Sequence, residues 1–399
     1  MSVPSITAVR LTGAAHRAEL PLLVLGPSLG TSATTLWGRC AQELTDVFDV
    51  VAWDLPGHGH NHAVPEEPFT MAELAQGVLR VVDEILEQRD QYRGSFAYAG
   101  DSVGGTVGLQ LLLDQPDRVT SAVLLCTGAK IGDASSWAGR IGQVSVSGTS
   151  VMVSGSAERW FGHGFLEREQ ATASALLHAL QDADDQGYIL VCQSLAEFDV
   201  RDRLGEIDTP VLAVAGSDDV TTTPEMLRTI AGQVKDGRYV ELDGVSHLAP
   251  AEAPSVVARL IRQHVLGEPE VSDEPLSAGM AVRREVLGDA HVDRATANAT
   301  DLTREFQEFI TEYAWGGIWT RPGLDRRSRS MITLTALIAR GHHEELAMHL
   351  RAARTNGLTN DEIKELILQC AIYCGVPDAN TAFRIAQGVL DELDNEGAS

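Results

Sequence analysis

The sequence predicts two domains of different fold class: an α/β domain with a mostly parallel sheet and a helical cap, followed by an all-α domain. In the first two thirds of the chain, short apolar segments alternate with helical segments, which is typical of a parallel sheet covered by helices. After an acidic, proline-containing segment, only helical patterns follow. We therefore expect an α/β domain over 1–266, a linker over 267–278 and an all-α domain over 279–399.

The expected elements follow from hydrophobic periodicity and from turn residues. Helices are expected at 71–89 and 103–113, between the strands. From about 130 to 205, helical segments interrupted by Gly and Ser predict the cap. Gly316-Gly317 is expected to break the later helical region. The expected strands are 20–26, 48–53, 95–99, 121–126, 210–216 and 238–242, and the later helices are 300–313, 328–340, 343–356, 359–374 and 378–393.

The composition excludes several classes of protein. With 44% hydrophobic and 22% charged residues, the 399-residue chain is typical of a globular protein. Its net charge of −25 argues against nucleic-acid binding and provides no long-range attraction for anionic substrates. We expect a cytoplasmic protein with no disulfide framework, because the chain has no long apolar run, no signal sequence and five scattered cysteines. Cys370 and Cys374 are expected to be small buried hydrophobic residues rather than zinc ligands.

A nucleophile motif lies between an expected strand and an expected helix. Gly100-Asp101-Ser102-Val103-Gly104 has the Gly-x-Ser-x-Gly pattern in which a sharp turn exposes the serine. The base and the carboxylate that orients it must follow downstream. His247 follows one later strand, and Asp219 follows another, with Asp218 as its competitor. The order Ser102, Asp219, His247 predicts a catalytic triad.

A tetrahedral intermediate also needs two backbone donors. The N–H of Val103, directly after the nucleophile, is one expected donor. The loop after the first core strand should provide the other, and we assign it to Leu29. Three other histidines in this half, His58, His60 and His62, are expected to be exposed loop residues.

The first half resembles the 3-oxoadipate enol-lactonases through residues 1–265. The resemblance rests on Ser28-Leu29-Gly30-Thr31 with Trp37, Asp54-Leu55-Pro56-Gly57-His58-Gly59, Gly-Asp-Ser-Val-Gly-Gly and Gly-Val-Ser-His-Leu. It implies hydrolysis of an enol-lactone that carries a carboxylate. Trp137-x-x-Arg140 in the cap also resembles that family, so Arg140 is the candidate for binding the carboxylate and Trp137 for packing on the ring. The alternative is an ordinary cap hinge and core.

The helical half has an ionisable stripe in His342-x-x-Glu345-x-x-x-His349. The spacing predicts that these three side chains share one face of one helix. The stripe is interpreted as a site, with a solvated surface and a metal site as alternatives. A zinc-protease motif is excluded, because His343-Glu344 is not followed by the second histidine of that motif.

This half resembles the 4-carboxymuconolactone decarboxylases over residues 279–394. The resemblance rests on Arg283-Arg284-Glu285-Val286-Leu287-Gly288, on the segment from Tyr313 to Leu324 and on Cys374-Gly375-Val376-Pro377. Related helical redox proteins carry Cys-x-x-Cys-x-x-x-His, where this chain has His342, Glu345 and His349. Thiol chemistry is therefore not available at this place, whereas acid–base chemistry is.

The implied decarboxylation needs neither a metal nor a cofactor, because the unsaturated lactone of the substrate accepts the electrons. The protein must bind a dianion, polarise the lactone carbonyl and deliver a proton to the ring. Glu345 and His349 are the candidates for proton transfer, and either could supply the proton. His342 and Arg329 are candidates for substrate binding. If the stripe is solvated surface, His291 and the turn around Arg329 are the next candidates.

The sequence thus predicts a bifunctional enzyme of protocatechuate breakdown (the 3-oxoadipate pathway). Its second half decarboxylates 4-carboxymuconolactone, and its first half hydrolyses the resulting enol-lactone to 3-oxoadipate. The expected partners are small carboxylated lactones, with no nucleic acid and no membrane, and a homo-oligomer is expected through the helical domain. The alternatives are a general esterase or lactonase fused to a helical redox or oligomerisation domain, and a ligand-binding receptor on a hydrolase scaffold.

Overall fold

The computed structural model of the chain describes residues 3–13, 17–267, 275–300 and 302–396. These residues form two compact units, one within 1–269 and one within 270–399. Within the described ranges, no helix combines the length and the apolar character needed to cross a bilayer.

The first unit is built on a twisted sheet of seven described strands in the order β1-β3-β2-β4-β5-β6-β7. Six of the strands are parallel, and β1 pairs antiparallel with β3 at one edge. The mostly parallel sheet is confirmed, whereas β1 was not predicted. The strands are β1 (Thr7–Arg10), β2 (Leu22–Gly26), β3 (Asp49–Asp54), β4 (Phe96–Asp101), β5 (Val119–Leu125), β6 (Val211–Gly216) and β7 (Gly237–Leu242).

The missing prediction of β1 has a local cause. Its four residues, Thr-Ala-Val-Arg, are all half-buried, so the strand has neither an apolar run nor an alternating pattern. By contrast, every residue of β2, β3, β4 and β6 is buried. Strands covered on both faces are continuous apolar runs, which is why these could be read from the sequence.

Helices cover the sheet, and a group of them forms the cap. Two short 3₁₀ segments, Thr149–Met152 and Arg201–Glu206, lie within or directly after the cap helices. The cap helices are α4 to α8, inside the predicted range of 130–205. The helices of this unit are α1 (Ala33–Gln42), α2 (Met71–Gln88), α3 (Val103–Asp114), α4 (Ala134–Ser147), α5 (Val153–Trp160), α6 (Phe165–Arg168), α7 (Gln170–Asp182), α8 (Asp185–Glu197), α9 (Pro224–Gln233), α10 (Ala249–Glu252) and α11 (Pro254–Leu266).

The second unit is helical throughout its described residues. One segment, Thr311–Trp319, is a π-helix that continues directly from α14. Leu334, Ile338, Leu346, Leu350 and Ile367 form the centre of its main apolar core. The helices are α12 (Pro275–Leu287), α13 (Asp289–Ala297), α14 (Arg304–Ile310), α15 (Arg326–Arg340), α16 (His343–Thr355), α17 (Asn360–Tyr373) and α18 (Val376–Glu396).

Two predictions for this unit were wrong, and two of its helices were not predicted. The expected linker over 267–278 ends too late, because α12 already begins at Pro275; residues 268–274 lie outside the described part. The helices α12 and α13 were not predicted, since α13 has few apolar residues and α12 buries an arginine, Arg283, instead of a continuous apolar stripe. The expected break at Gly316-Gly317 falls inside the π-helix, where neighbouring turns hold the backbone.

Candidate active sites

Ser102 lies at the sharp turn between β4 and α3. Its φ of 52° and ψ of −114° are outside the regions that a residue with a side chain prefers. Two bonds hold this conformation: the Ser102 N–H donates to the Leu125 carbonyl at 2.9 Å, and the Thr127 hydroxyl donates to the Ser102 carbonyl at 2.6 Å. The surrounding structure therefore fixes a strained turn at Ser102, with the geometry of a nucleophile elbow.

His247 and Asp219 complete the arrangement with Ser102. The Nε2 atom of His247 lies 2.9 Å from the Ser102 Oγ, and its Nδ1 lies 2.8 Å from the Asp219 Oδ2. Both residues are almost fully buried, with exposures of 3% and 2%. The three side chains come from the carboxyl ends of β4, β6 and β7, where ligands of parallel α/β sheets bind.

Asp219 is held by more than the histidine. Its Oδ1 accepts the N–H groups of Thr221 at 2.7 Å and Thr222 at 3.0 Å, and the Thr222 hydroxyl donates to its Oδ2 at 2.6 Å. Burial raises the pKa of Asp219, but the charge of His247 and these hydrogen bonds outweigh it, so the pKa lies below its usual value. Thr222 was not identified from the sequence, since a threonine after an aspartate is common in loops. These hydrogen bonds thus fix the carboxylate in position and favour its charged form.

The two expected oxyanion donors are in segments that adjoin the turn at Ser102. Val103 is the first residue of α3, where a backbone N–H has no partner within the helix. In the part of the chain that the structure describes, the N–H of Leu29 donates to no protein group. The loop that carries Leu29 is bound to the elbow, because the Gly104 N–H donates to the Pro27 carbonyl at 2.8 Å. The arrangement leaves both donors available to a ligand.

A second group of ionisable residues lies on α12, α13 and α16. His349, on α16, is half-buried; burial lowers its pKa, Glu345 opposes this shift, and the charge of His291 adds to it. Burial also lowers the pKa of His291, and the nearby charges of Arg283 and Arg294 lower it further. Glu345, His349 and His291 are therefore close enough to interact, although His291 lies far from the other two in sequence.

The two expected binding residues of this half lie elsewhere. His342 is exposed and precedes α16 with a non-helical backbone, so the prediction that it shares a helix face with Glu345 and His349 was wrong. The preceding Gly341 ends α15 in the left-handed region, and His342 is the N-cap residue of α16, with its carbonyl accepting the Leu346 N–H at 3.0 Å. Arg329 donates to the carbonyls of Leu324 and Arg321, at 3.1 and 2.8 Å, and so holds the turn before α15.

Two family models match the chain. The Alpha/beta hydrolase family matches residues 23–260, and the Carboxymuconolactone decarboxylase family matches residues 304–388. The 4-carboxymuconolactone decarboxylase of Acinetobacter baylyi is 50% identical over 115 residues, which are 29% of this chain and 86% of that protein. The 3-oxoadipate enol-lactonase 2 of the same organism is 31% identical over 247 residues, which are 60% of this chain and 86% of that protein. The chain is a fusion of an alpha/beta hydrolase and a carboxymuconolactone decarboxylase.

Two further relatives extend the comparison. The nitrosuccinic acid decarboxylase of Metarhizium robertsii is 44% identical to the decarboxylase part over 119 residues, which are 30% of this chain and 83% of that protein. The crystal structure of the enol-lactonase from Burkholderia xenovorans is similar to the hydrolase part, with a TM-score of 0.60 and 26% identity over 65% of this chain and 96% of that chain. The α/β class of the first domain, the helical class of the second and the fusion itself are confirmed, and the protein is an enzyme.

In the hydrolase domain, the cap places two arginines near each other. The guanidinium of Arg140 lies 5.2 Å from the ring centroid of Trp137, whose indole N–H donates to the Ile131 carbonyl at 2.7 Å. Burial lowers the pKa of Arg159, and the charge of Arg140 lowers it further. Both arginines line a cavity of about 420 Å³ between α4 and α5. Arg159 was not identified from the sequence, because no motif marks it.

The cap also covers the loop after β3, which corrects one prediction about the histidines. His58 is not exposed as expected but 1% exposed, and its ring stacks on Tyr188 of α8 with centroids 6.1 Å apart. His60 and His62 are exposed, as expected. The sequence around His58 is that of a polar loop, and only the cap helix folded over it buries the ring.

Near Ser102 and His247, the hydrolase domain has a buried carboxyl group, Asp101, and a half-buried one, Glu252. Asp101 is fully buried, and neither of its carboxyl oxygens has a hydrogen-bond partner among the described residues. Burial raises its pKa well above the usual value, and the nearby charges of Asp219 and Glu252 add to the effect. Glu252 accepts the N–H of Gly162 at 2.6 Å and that of Ser246 at 2.9 Å. It thereby ties the cap to the loop that carries His247.

Among the residues that the structure describes, no three His, Cys, Asp or Glu side chains are arranged to hold a metal ion. Cys370, for which a buried hydrophobic role was expected, is 3% exposed and packs in the helical core, while Cys374 is half-buried.

Proposed function

We propose that the protein catalyses two consecutive reactions: the decarboxylation of 4-carboxymuconolactone in the helical domain and the hydrolysis of the resulting 3-oxoadipate enol-lactone in the hydrolase domain. The observation that carries the proposal is the hydrogen-bonded set of Ser102, His247 and Asp219, at 2.9 and 2.8 Å, in a chain whose other domain is 50% identical to a decarboxylase. Loss of carbon dioxide from 4-carboxymuconolactone, the substrate in the name of one relative, gives the enol-lactone in the name of the other.

For the hydrolysis, the Ser102 Oγ attacks the lactone carbonyl while His247 takes its proton. The N–H groups of Leu29 and Val103 are proposed to bind the resulting oxyanion. Collapse of the intermediate breaks the ring C–O bond, and the enol that leaves takes the proton from His247 and becomes a ketone. Water, activated by His247, then releases the acyl group from Ser102 as the second carboxylate of 3-oxoadipate. Asp219 stabilises the imidazolium throughout.

Arg140 and Arg159 are proposed to bind the side-chain carboxylate of the lactone. Neither forms an ion pair with Asp or Glu in the described part of the chain, although acidic residues exceed basic ones by 56 to 31. The backbone of Arg159 adjoins the loop that carries His247, because its carbonyl accepts the Ser246 hydroxyl at 3.0 Å. Two arginines of this kind can provide the local positive charge that the acidic protein lacks overall.

For the decarboxylation, the bond between the ring carbon and its carboxylate breaks, and carbon dioxide leaves. The electron pair moves through the ring alkene into the lactone carbonyl and gives a dienolate. Protonation of the carbon next to that carbonyl yields the enol-lactone. We propose that His349, supported by Glu345, delivers this proton, because the two lie one turn apart on α16 and their charges interact.

Assembly through the helical domain is part of the same proposal. Several large apolar side chains of α14, α17 and the π-helix are exposed, among them Phe306 at 60%, Tyr313 at 66% and Ile372 at 79%. Exposed apolar side chains in such numbers are typical of surfaces that pack against another subunit. The proposed occupant is the same face of a second copy of the chain.

The test is to supply 4-carboxymuconolactone to the purified protein and to a Ser102→Ala variant, and to follow carbon dioxide and 3-oxoadipate separately. The wild type should release both. The variant should release carbon dioxide at the normal rate and accumulate enol-lactone, because loss of a triad serine costs about 10⁶-fold in turnover. Hydrolysis by the variant within tenfold of wild type would disprove the role of Ser102, and absence of carbon dioxide from both would disprove the decarboxylase assignment.

A further inference from the structure

Arg283 is a buried cation whose charge is not neutralised. It lies on α12 with 6% exposure. Its two terminal nitrogens donate to neutral oxygens, Nη1 to the Thr311 hydroxyl and Nη2 to the Gln307 amide, each at 2.8 Å. Its Nε is buried and has no hydrogen-bond partner in the described structure, where no carboxylate pairs with the guanidinium. Such a group is costly unless an anion approaches it.

A comparison with the residues around Arg283 indicates that its charge does more than stabilise the fold. Arg284, the next residue, is partly exposed and pairs with both Asp289 and Asp293, at 3.0 and 2.7 Å. Acidic residues are abundant in this chain, whose net charge is −25. An arginine with a purely structural role would therefore be expected to have an acidic partner. Arg283 instead lies near His291. Burial lowers the pKa of His291, and the charge of Arg283 lowers it further. The charge of His291 in turn lowers the pKa of His349.

We propose that Arg283 binds a carboxylate of the substrate of the decarboxylase domain, and specifically the carboxylate that the product retains. The inference rests on the proposed function for the identity of the reaction. 4-Carboxymuconolactone carries one carboxylate on the ring carbon and a second one on an adjacent methylene group. Nitrosuccinic acid has the same skeleton, a succinate whose C2 also bears an electron-accepting group.

Which of the two substrate carboxylates Arg283 binds follows from how their charges change during decarboxylation. The departing carboxylate loses its charge in the transition state, so a cation bound to it stabilises the substrate more than the transition state and slows the reaction. The methylene carboxylate keeps its charge throughout. A buried arginine fits that second group, because it then stabilises substrate and transition state equally and places the ring beside His291 and His349.

The experiment measures carbon dioxide release by Arg283→Gln and Arg283→Lys variants of the full chain. Arg283→Gln should raise KM about 10- to 100-fold, the usual effect of losing a charge-assisted hydrogen bond, with kcat nearly unchanged. Arg283→Lys should be intermediate, because an ammonium keeps the charge but not the fork. Arg284→Gln, on the same helix, is the matched control and should change neither constant by more than about twofold, as is usual for surface ion pairs.

Succinate provides a probe that cannot react. It should inhibit carbon dioxide release competitively in the wild type and lose about 10- to 100-fold in potency in Arg283→Gln. Hydrolysis of added enol-lactone by the same sample shows that the variant protein is folded in its other domain, and circular dichroism reports on the helices. A lower kcat with unchanged KM and unchanged succinate inhibition would overturn the proposal, as would a change in oligomer size without a change in KM.

The failure of the proposed function can be distinguished from the failure of this inference. If the wild type releases no carbon dioxide from 4-carboxymuconolactone, the reaction is wrong, but succinate binding can still be measured by calorimetry. Binding that is lost in Arg283→Gln and kept in Arg284→Gln supports the carboxylate site on α12. Binding that Arg283→Gln leaves intact refutes it.

Discussion

Asp218 and Asp219 are neighbours in sequence, but only one of them is placed to orient His247. Both are carboxylates in one loop after β6, and the sequence favours Asp219 with Asp218 as its competitor. In the structure, Asp219 is 2% exposed and bonded to His247, whereas Asp218 is exposed and accepts the Ser217 hydroxyl at 3.0 Å. Only Asp219 can hold the imidazole in the orientation that general-base catalysis by Nε2 requires.

Glu252 should make the stability of the hydrolase domain depend on pH. Burial raises its pKa from 4.5 to about 7, against the hydrogen bonds from Gly162, Ser246 and Leu248 that lower it. Between these pH values the folded protein binds more protons than the unfolded chain. The stabilising contribution is therefore fully present below pH 4.5 and is lost as pH rises through about 7, on the order of 3 kcal/mol at most.

Urea unfolding at pH 5 and pH 8, followed by residual enol-lactone hydrolysis, tests this prediction in the wild type and in Glu252→Gln. The variant cannot ionise at this position, so the difference in unfolding free energy between the two proteins should change with pH. Parallel pH profiles of the two proteins would show that Glu252 does not titrate in this range.

At the scale of elements, the proposed decarboxylase site depends on three helices that are distant in sequence. The helix α16 contributes Glu345 and His349, α13 contributes His291, and α12 contributes Arg283. The two residues on α16 could be found by helical periodicity. The other two could not be connected with them, because no spacing along the chain indicates that α12 and α13 pack near α16.

Substitutions in and before α16 should show whether decarboxylation depends on the helix face or on the turn before it. His349→Ala and Glu345→Gln should each slow carbon dioxide release about 10²- to 10⁴-fold, the usual loss when a positioned acid is removed. His342→Ala is the control and should have little effect, since His342 is exposed and lies outside the helix. All three should hydrolyse added enol-lactone normally. If His342→Ala is the most impaired, the site is centred on the turn rather than on the helix.

At the scale of the whole molecule, the chain has two separate sets of core residues. The core of the hydrolase domain draws on residues between Leu22 and Ile261, and the described cores of the decarboxylase domain draw on residues from Val286 onward. The cationic side chains proposed to bind substrate lie inside each domain, at Arg140, Arg159 and Arg283. Each domain therefore contains the residues that its proposed reaction needs.

Expression of residues 1–267 and 275–399 as separate proteins should accordingly give two folded enzymes. The first should hydrolyse enol-lactone, and the second should release carbon dioxide from 4-carboxymuconolactone, each with turnover close to that of the full chain. Each fragment exceeds the roughly 100 residues typical of an independent domain. Size-exclusion chromatography should show the assembly with the helical fragment. A hydrolase fragment that is inactive until the helical fragment is added would contradict this independence.

The sequence by itself determined the fold classes, the fusion and two of the residues proposed as the triad, Ser102 and His247. These features depend on local signals: apolar runs mark buried strands, and small residues around Ser102 mark a tight strand-to-helix turn. The same local signals placed Glu345 and His349 on one helix.

Only the tertiary structure decided which polar residues are buried and which charges lack partners. Asp219 was separated from Asp218, His58 was covered by the cap, and His342 was placed outside its helix. Arg159 and Arg283 became candidates for carboxylate binding only when the structure showed that neither has an acidic partner among the described residues. The physical reason is that burial and charge compensation depend on segments distant in sequence, and a pattern along the chain contains no information about which segments those are.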